Sequence, residues 1–472
     1  MTHSHYSPSR FLSVLAITLV GFLAATASAQ LLQPQRADEN TYLPVVPTRT
    51  FEEIYQQDTA QKDQVTNTQQ ELLGRRYDLR NDPSDVQMSG ERKAVQRGVR
   101  VKLHEGATWE SLAGMTPEEI KNQNLFPYGF RPLPHVKHAV GGQVFPKPQI
   151  DAIQKAEARD LQRFDADFDL PNHLTPEFPP PLFLTSRPDL GDVTQGEVLT
   201  IKNYYRLLHG KVTPVQMEGM RLLLTPFPQQ QFNQTEDRKV KDASLGVTCL
   251  DCHVNGHTNA TFHLNPDTRP QADRFRIDTV SLRGMFNQQI HGSKRSLRSV
   301  EDFTEFEQRT AYFDGDQVTA AKKGVHLPDR SSQVAMMAQM QNMFDFPPAP
   351  KLDTFGRLIP SKATEQELAG EEVFHGKGRC AECHASPFFL DDKMHDLHLE
   401  RFYKIETIAG QRNIPDGPIK TFTLRGIKDS PPYMHDGRLL TLEDTVEFFN
   451  LVLDLKLNQD EKDALVAYMR EL

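Results

Sequence analysis

The chain is short of several things. Its 472 residues include four cysteines, one tryptophan and a single long apolar run. That run, Phe11 to Ala25, follows Arg10 and precedes Ala27-Ser28-Ala29, a small-x-small cleavage site. It is too short for a span and reads as a secretory leader over residues 1–29, and no other stretch is expected to cross a bilayer. Positive charge is also scarce. Lys and Arg number 54 against 63 Asp and Glu, a net charge of −9, and loss of Arg10 with the leader makes the exported chain one unit more negative. A nucleic-acid partner is disfavoured by that balance, and a basic redox partner is favoured. Hydrophobic residues are 38% of the chain and prolines number 32. The composition describes loop-rich domains with modest cores, in a chain long enough for several of them.

The few cysteines stand in one pattern. Cys249-Leu-Asp-Cys252-His253 and Cys380-Ala-Glu-Cys383-His384 are both Cys-x-x-Cys-His and use all four. That spacing is the attachment signature of c-type haem: two thiols reach the two vinyl groups of one porphyrin, and the next His offers a nitrogen to iron. Two close pairs of cysteines also suit a zinc site or two disulfides. A zinc ribbon, however, needs neither the long separation nor a His after each pair. The sequence therefore predicts two covalently bound haem c groups. Cys249, Cys252, Cys380 and Cys383 would carry the thioethers, and His253 and His384 would ligate iron. Haem c is attached after export in bacteria, so leader and cofactor agree on the periplasm.

The expected fold is mainly α: two tandem cytochrome c-like units, 201–345 and 346–472, after an N-terminal region, 30–200, of uncertain fold. The N-terminal region carries no chemical motif. It holds Trp109, a polar helical stretch Thr50–Leu73, the spaced His135 and His138, and a Pro-rich connector Leu170–Pro188. Beyond residue 200 the sequence repeats. Thr279-Val-Ser-Leu-Arg-Gly284 matches Thr421-Phe-Thr-Leu-Arg-Gly426, Phe262-His263 matches Met394-His395, and Leu297 and Phe303 match Leu442 and Phe448. The slowly growing offset implies a duplicated unit with small insertions, each copy placing its own haem across a pseudo-twofold interface. Thr364-x-x-Glu367 and Asn458-x-x-Glu461 are capping boxes that begin helices before the second attachment site and at the chain end. Met217–Leu224 reads as the corresponding helix of the first unit.

Thr421 to Arg438, with its Pro431-Pro432-Tyr433-Met434-His435-Asp436-Gly437 core, and Thr441-Leu-Glu443 after it resemble the signature of bacterial di-haem cytochrome c peroxidases, a family that includes MauG-type enzymes. The resemblance covers roughly residues 215–472. It implies one electron-storing haem and one that reacts with hydrogen peroxide, fed by a small periplasmic electron-donor protein. The family's Trp between the haems would fall near His291-Gly292, and it is absent. The sixth ligand of the second haem would fall at Phe449, which cannot ligate iron. A distal His would fall near Arg269–Pro270 and is missing.

The resemblance also implies a catalytic carboxylate, for which Glu305 and Glu307 are the candidates, with His291 as a contact between the haems. Candidate sixth ligands are His263, His257 and His291 for the first haem, and Met434, His435, His395 and Met394 for the second. The competing functions are a peroxidase-like enzyme, a non-catalytic di-haem electron carrier and a MauG-like oxidase of a protein or organic substrate.

Overall fold

A computed structural model describes residues 50–133, 143–161, 169–228, 246–264, 276–294, 296–308, 328–405, 407–408, 411–412 and 416–472. The leader, His135, His138 and Arg269–Pro270 lie outside the described residues. The fold is mainly helical, with short antiparallel strands that the sequence did not announce.

The polar N-terminal stretch forms helix α1 (Phe51–Arg76), opened by a Thr50/Glu53 capping box, and Trp109 begins the short helix α2 (Trp109–Ala113). In the first repeat, α3 (Pro214–Leu223) precedes α4 (Cys249–Cys252), and α5 (Val300–Phe306) and α6 (Ala335–Gln341) follow. In the second, α7 (Glu365–His375) precedes Cys380, and α8 (Leu442–Val452) and α9 (Gln459–Met469) close the chain. Capping boxes at Thr213/Gln216, Thr364/Glu367 and Asn458/Glu461 start α3, α7 and α9, each satisfying otherwise orphaned first-turn N–H groups.

Several elements of the two repeats correspond in contact and register. Helix α3 crosses α6 at Gly219, where a Cβ would lie 2.0 Å from the Met336 carbonyl. Helix α7 crosses α9 at Gly370, where a Cβ would lie 2.0 Å from the Ala464 carbonyl. Strand β1 (Gln143–Val144) pairs with β2 (Phe262–Leu264), which pairs with β3 (Arg276–Asp278). In the second repeat β4 (Met394–Asp396) pairs with β5 (Pro418–Lys420). His263 lies opposite Ile277, and His395 opposite Ile419. The sequence match of Phe262-His263 with Met394-His395 is therefore a match of strand register.

One alignment needs correction. Leu297 and Phe303 do not correspond to Leu442 and Phe448. The bridge His291–Leu297 is the counterpart of Tyr433–Leu439, and the helix caps Ser299 and Thr441 are counterparts. The offset is thus constant from Thr279 to Glu307, because no insertion intervenes in that stretch, and Glu307 corresponds to Phe449. The repeats also exchange equivalent bonds: Asp278 N–H donates to the His435 carbonyl at 2.9 Å, and its counterpart Lys420 N–H donates to the Ser293 carbonyl at 2.9 Å.

The N-terminal region shares a core with the second repeat. Leu73, Tyr77, Phe126 and Phe130 pack in one cluster with Phe374, Phe448 and Tyr468. Buried Arg438 binds Asp416 through two nitrogens at 2.7 and 2.8 Å and Asp436 at 2.7 Å, while Asp436 accepts from Leu133 N–H at 2.7 Å. The Pro-rich connector is buried on its apolar side: Leu170 and Leu174 enter this core, and Leu182 and Leu184 the core of the first repeat.

Candidate functional site

Two cavities lie back to back, one per repeat. The first has about 1050 Å³ of space, counting its solvent-open mouth, and is lined by Cys249, Cys252, His253, His263, Lys294, Glu307 and Gln308 among others. The second has about 1360 Å³ and is lined by Cys383, His384, His395, Lys420, Arg425, Met434, His435 and Phe449 among others. Asp278, Thr279 and Val280 line both, so this stretch is the wall between them.

Each motif histidine is set in the same way. His253 Nδ1 lies 2.9 Å from the Val280 carbonyl, and His384 Nδ1 lies 2.9 Å from the Phe389 carbonyl. A carbonyl only accepts, so the proton sits on Nδ1 and Nε2 keeps its lone pair for a metal. Burial pushes the His253 pKa down to about 4 and lowers that of His384, keeping both rings neutral. Thr248 and Asp251 cap the four-residue helix α4 reciprocally, and Arg159 grips Asp251 at 2.7 and 2.8 Å. These contacts fix the direction in which Cys249 and Cys252 present their thiols.

The residues fit a covalent porphyrin better than zinc. Cys249 and Cys252 line the first cavity and Cys383 the second, and among the described residues no single cluster joins the two pairs. All four cysteines are free of disulfides.

The remaining candidates divide. Glu307 lines the first cavity, whereas Glu305 is drawn away into an ion pair with Arg330. His263 lines the first cavity beside His253, and burial pushes its pKa down to about 3. His257 is not in the first cavity. Asn255 takes a left-handed φ of 50°, and the His257 that follows lines the second cavity, its nitrogens 2.7 Å from Ser281 Oγ and 3.0 Å from the Asp429 carbonyl. His291 is buried but lines neither cavity; its backbone is bridged to Leu297.

On the second side, Met434, His435 and His395 line the cavity and Met394 does not. His435 Nε2 stands 3.3 Å from Asp416, and His395 Nε2 is 2.7 Å from Asp391. Phe449 lines this cavity at the place Glu307 occupies in the first. Sequence reasoning missed Asp278, a buried carboxyl that burial holds well above the usual range, and Lys420, its counterpart, pushed down to about 8 by burial. The repeat itself was the signal, since Asp278 and Lys420 each precede a Thr-x-x-Leu-Arg-Gly copy.

No protein-family model matches the chain. It is 30% identical over 158 residues to the cytochrome-c peroxidase IdrP2 of Denitromonas iodatirespirans, a match taking in 26% of this chain and 43% of the relative. It is 30% identical over 132 residues to the cytochrome c551 peroxidase of Nitrosomonas europaea, 26% of this chain and 39% of the relative. It is 30% identical over 121 residues to the methylamine utilization protein MauG of Methylorubrum extorquens, 22% and 33%. The chain thus spans less than half the length of these curated relatives. Among solved structures, a MauG-like protein associated with microbial copper homeostasis matches with a TM-score of 0.36 at 18% identity, over 48% of this chain and 82% of that one. Among the described residues no helix is long and apolar enough to cross a membrane. In about a quarter of its length this chain is a relative of the bacterial di-haem cytochrome c peroxidases and MauG, the oxidoreductases whose signature its second repeat resembles.

Proposed function

We propose that the chain is a periplasmic di-haem c-type cytochrome that reduces hydrogen peroxide to water, with the first cavity as the reacting site and the second as the electron store. The observation that carries this reading is the pair Glu307 and Phe449: one position in two equivalent cavities, acidic in the first and apolar in the second.

Cys249, Cys252 and His253 would hold the first haem, and Cys380, Cys383 and His384 the second. Lys294 in the first cavity, and Lys420 and Arg425 in the second, offer cations to the propionates. Haem iron, when bound, supplies the electrons and the coordination position for peroxide. The Glu307 carboxylate would take a proton from one peroxide oxygen and return it to the other, so that the departing oxygen leaves as water. His263 and Gln308 line the same space and restrict how peroxide can lie in it. On the second side His435, Met434 and His395 line the cavity and would be the side chains available to ligate the second haem. The acidic net charge of −9 favours a basic electron-donor protein.

The electron-carrier alternative predicts two low-spin haems that ignore peroxide in every redox state. The test is a cyanide and peroxide titration of the oxidised and half-reduced holoprotein, followed in the visible spectrum, with Glu307→Gln beside the wild type. An open ferric site that responds to both ligands, and a slower peroxide response in E307Q, support the reading. Silence towards both ligands overturns it.

A further inference from the structure

The chain's single tryptophan lies far from both attachment motifs in sequence, yet it is joined to the second cavity by an unbroken run of rings. Phe449 lines that cavity. The Phe448 ring is 5.2 Å from that of Phe449, centroid to centroid, in an edge-on arrangement. Phe130 of the N-terminal region is 5.1 Å from Phe448, again edge-on, and Trp109 is 5.4 Å from Phe130. Phe448 and Phe130 are fully buried, whereas Trp109 is half-buried at the start of α2. A side branch runs from Phe130 through Phe126 to Tyr403, with centroids 5.9 and 5.7 Å apart.

We propose that Trp109 is a redox-active residue of the second site, the end of an aromatic relay that carries oxidising equivalents from the second cavity to the protein surface. The proposal rests on the reading above, that a haem occupies this cavity. Phenylalanine rings are too hard to oxidise to hold a positive hole, but closely spaced π systems shorten the tunnelling steps between better donors. Indole is the most easily oxidised ring on this path. Tyr403 is a poorer terminus: it is buried, its hydroxyl has no hydrogen-bond partner among the described residues, and burial raises the phenol pKa, so the proton it must lose on oxidation has no acceptor among them. Trp109, half-buried, can release its Nε1 proton to solvent. The first cavity has Glu307 where the relay begins on the second side.

The balance is simple. In the absence of a donor protein, hydrogen peroxide takes up two electrons and two protons and leaves as two waters. One electron would come from the haem iron. The other comes from the Trp109 indole, which also gives up its Nε1 proton and becomes a neutral indolyl radical; solvent supplies the second proton. A donor, when present, returns two electrons, one to the iron and one, with a proton, to the indolyl radical.

The test uses the oxidised holoprotein, mixed with hydrogen peroxide without a donor and freeze-quenched for electron paramagnetic resonance. An organic radical is expected whose lines narrow when the protein is grown on ring-deuterated tryptophan. With one tryptophan in the chain, that label reports Trp109 alone and leaves the fold untouched. Trp109→Phe should lose the signal while a pyridine haemochrome assay still counts the wild-type haem content. A radical that ignores the deuterium label, or that persists unchanged in W109F, overturns the relay and leaves the peroxidase reading standing. A holoprotein whose visible spectrum does not respond to peroxide overturns both.

Discussion

The first and second repeats are one scaffold with opposite chemistry written on it. At equivalent positions stand Asp278 and Lys420, Ser293 and His435, Lys294 and Asp436, and Glu307 and Phe449. The backbone beneath is conserved between them: the same strand register, the same bridge before the long helix, the same glycine at the helix crossing, the same reciprocal bond from one repeat to the other. What differs is which part of the N-terminal region covers each. Its Phe126 and Phe130 wrap into the core of the second repeat, whereas Leu182 and Leu184 enter that of the first and β1 pairs with β2. A duplicated unit can thus be specialised by changing a few cavity side chains and what packs over each copy, without rebuilding either.

The sharpest break in the comparison is to empty one site and keep the other. Replacing Cys249 and Cys252 together by Ala should remove one covalent haem and leave the second, and the Cys380/Cys383 pair should do the converse. Mass spectrometry and a pyridine haemochrome assay count what remains. Loss of both haems from either double variant would show that the cavities, which share the wall Asp278–Val280, load as one unit.

Next in size is the chemistry at the equivalent cavity position. Glu307→Gln keeps the shape and removes the proton carrier, and should slow peroxide turnover by about 10² to 10³. Phe449→Leu makes a similarly small change of shape in the other cavity and should alter turnover far less. Equal effects from the two would sink the assignment of roles to the cavities.

The shared scaffold predicts equal costs. In Gly219→Ala and Gly370→Ala the new methyl would lie 2.0 Å from a backbone carbonyl of the facing helix, so the helices must part. Each variant should lose about 3 kcal/mol, measured as a fall in the thermal midpoint of the holoprotein. A large loss in one and none in the other would break the equivalence of the two crossings.

Much of this architecture was legible in the sequence because it rests on local signals. The attachment motifs, the Thr364 and Asn458 capping boxes and the Thr-x-x-Leu-Arg-Gly repeat are short and carry their own geometry. What stayed hidden depends on distant packing. Glu305 and Glu307 are two residues apart at the end of one helix, and only the fold decides that Arg330 draws off the first while the second lines the cavity. His257 follows the first motif by four residues yet lines the other repeat's cavity, because left-handed Asn255 redirects the chain. The contact of Phe130 with Phe448 joins residues far apart in the chain, and no periodicity announces it.

The smallest effect separates the repeats most cleanly. Asp302 and Asp444 hold the same place, each with its N–H received by the capping Ser299 or Thr441. Asp302 is partly exposed and bonded to Arg330, which lowers its pKa. Asp444 is buried and accepts from the N–H groups of Arg100, Val101 and Leu440 at 2.6, 2.9 and 3.1 Å; burial raises its pKa to about 7. The signs are therefore opposite. The folded chain keeps the Asp444 proton to about pH 7, whereas the unfolded chain releases it near 3.8, so this group's stabilisation is complete below 3.8 and is lost as pH rises to about 7. Asp302 contributes stability above 3.8 that is lost as pH falls through its lowered value, and as an exposed pair it is worth at most about 1 kcal/mol. Thermal melts of D302N and D444N against the wild type, from about pH 2 to 8, should show it. D444N should flatten the decline in stability towards neutral pH, and D302N should be slightly destabilised at neutral pH and converge on the wild type in acid. Parallel profiles for the two variants would mean that the N-terminal wrap does not set the second repeat apart.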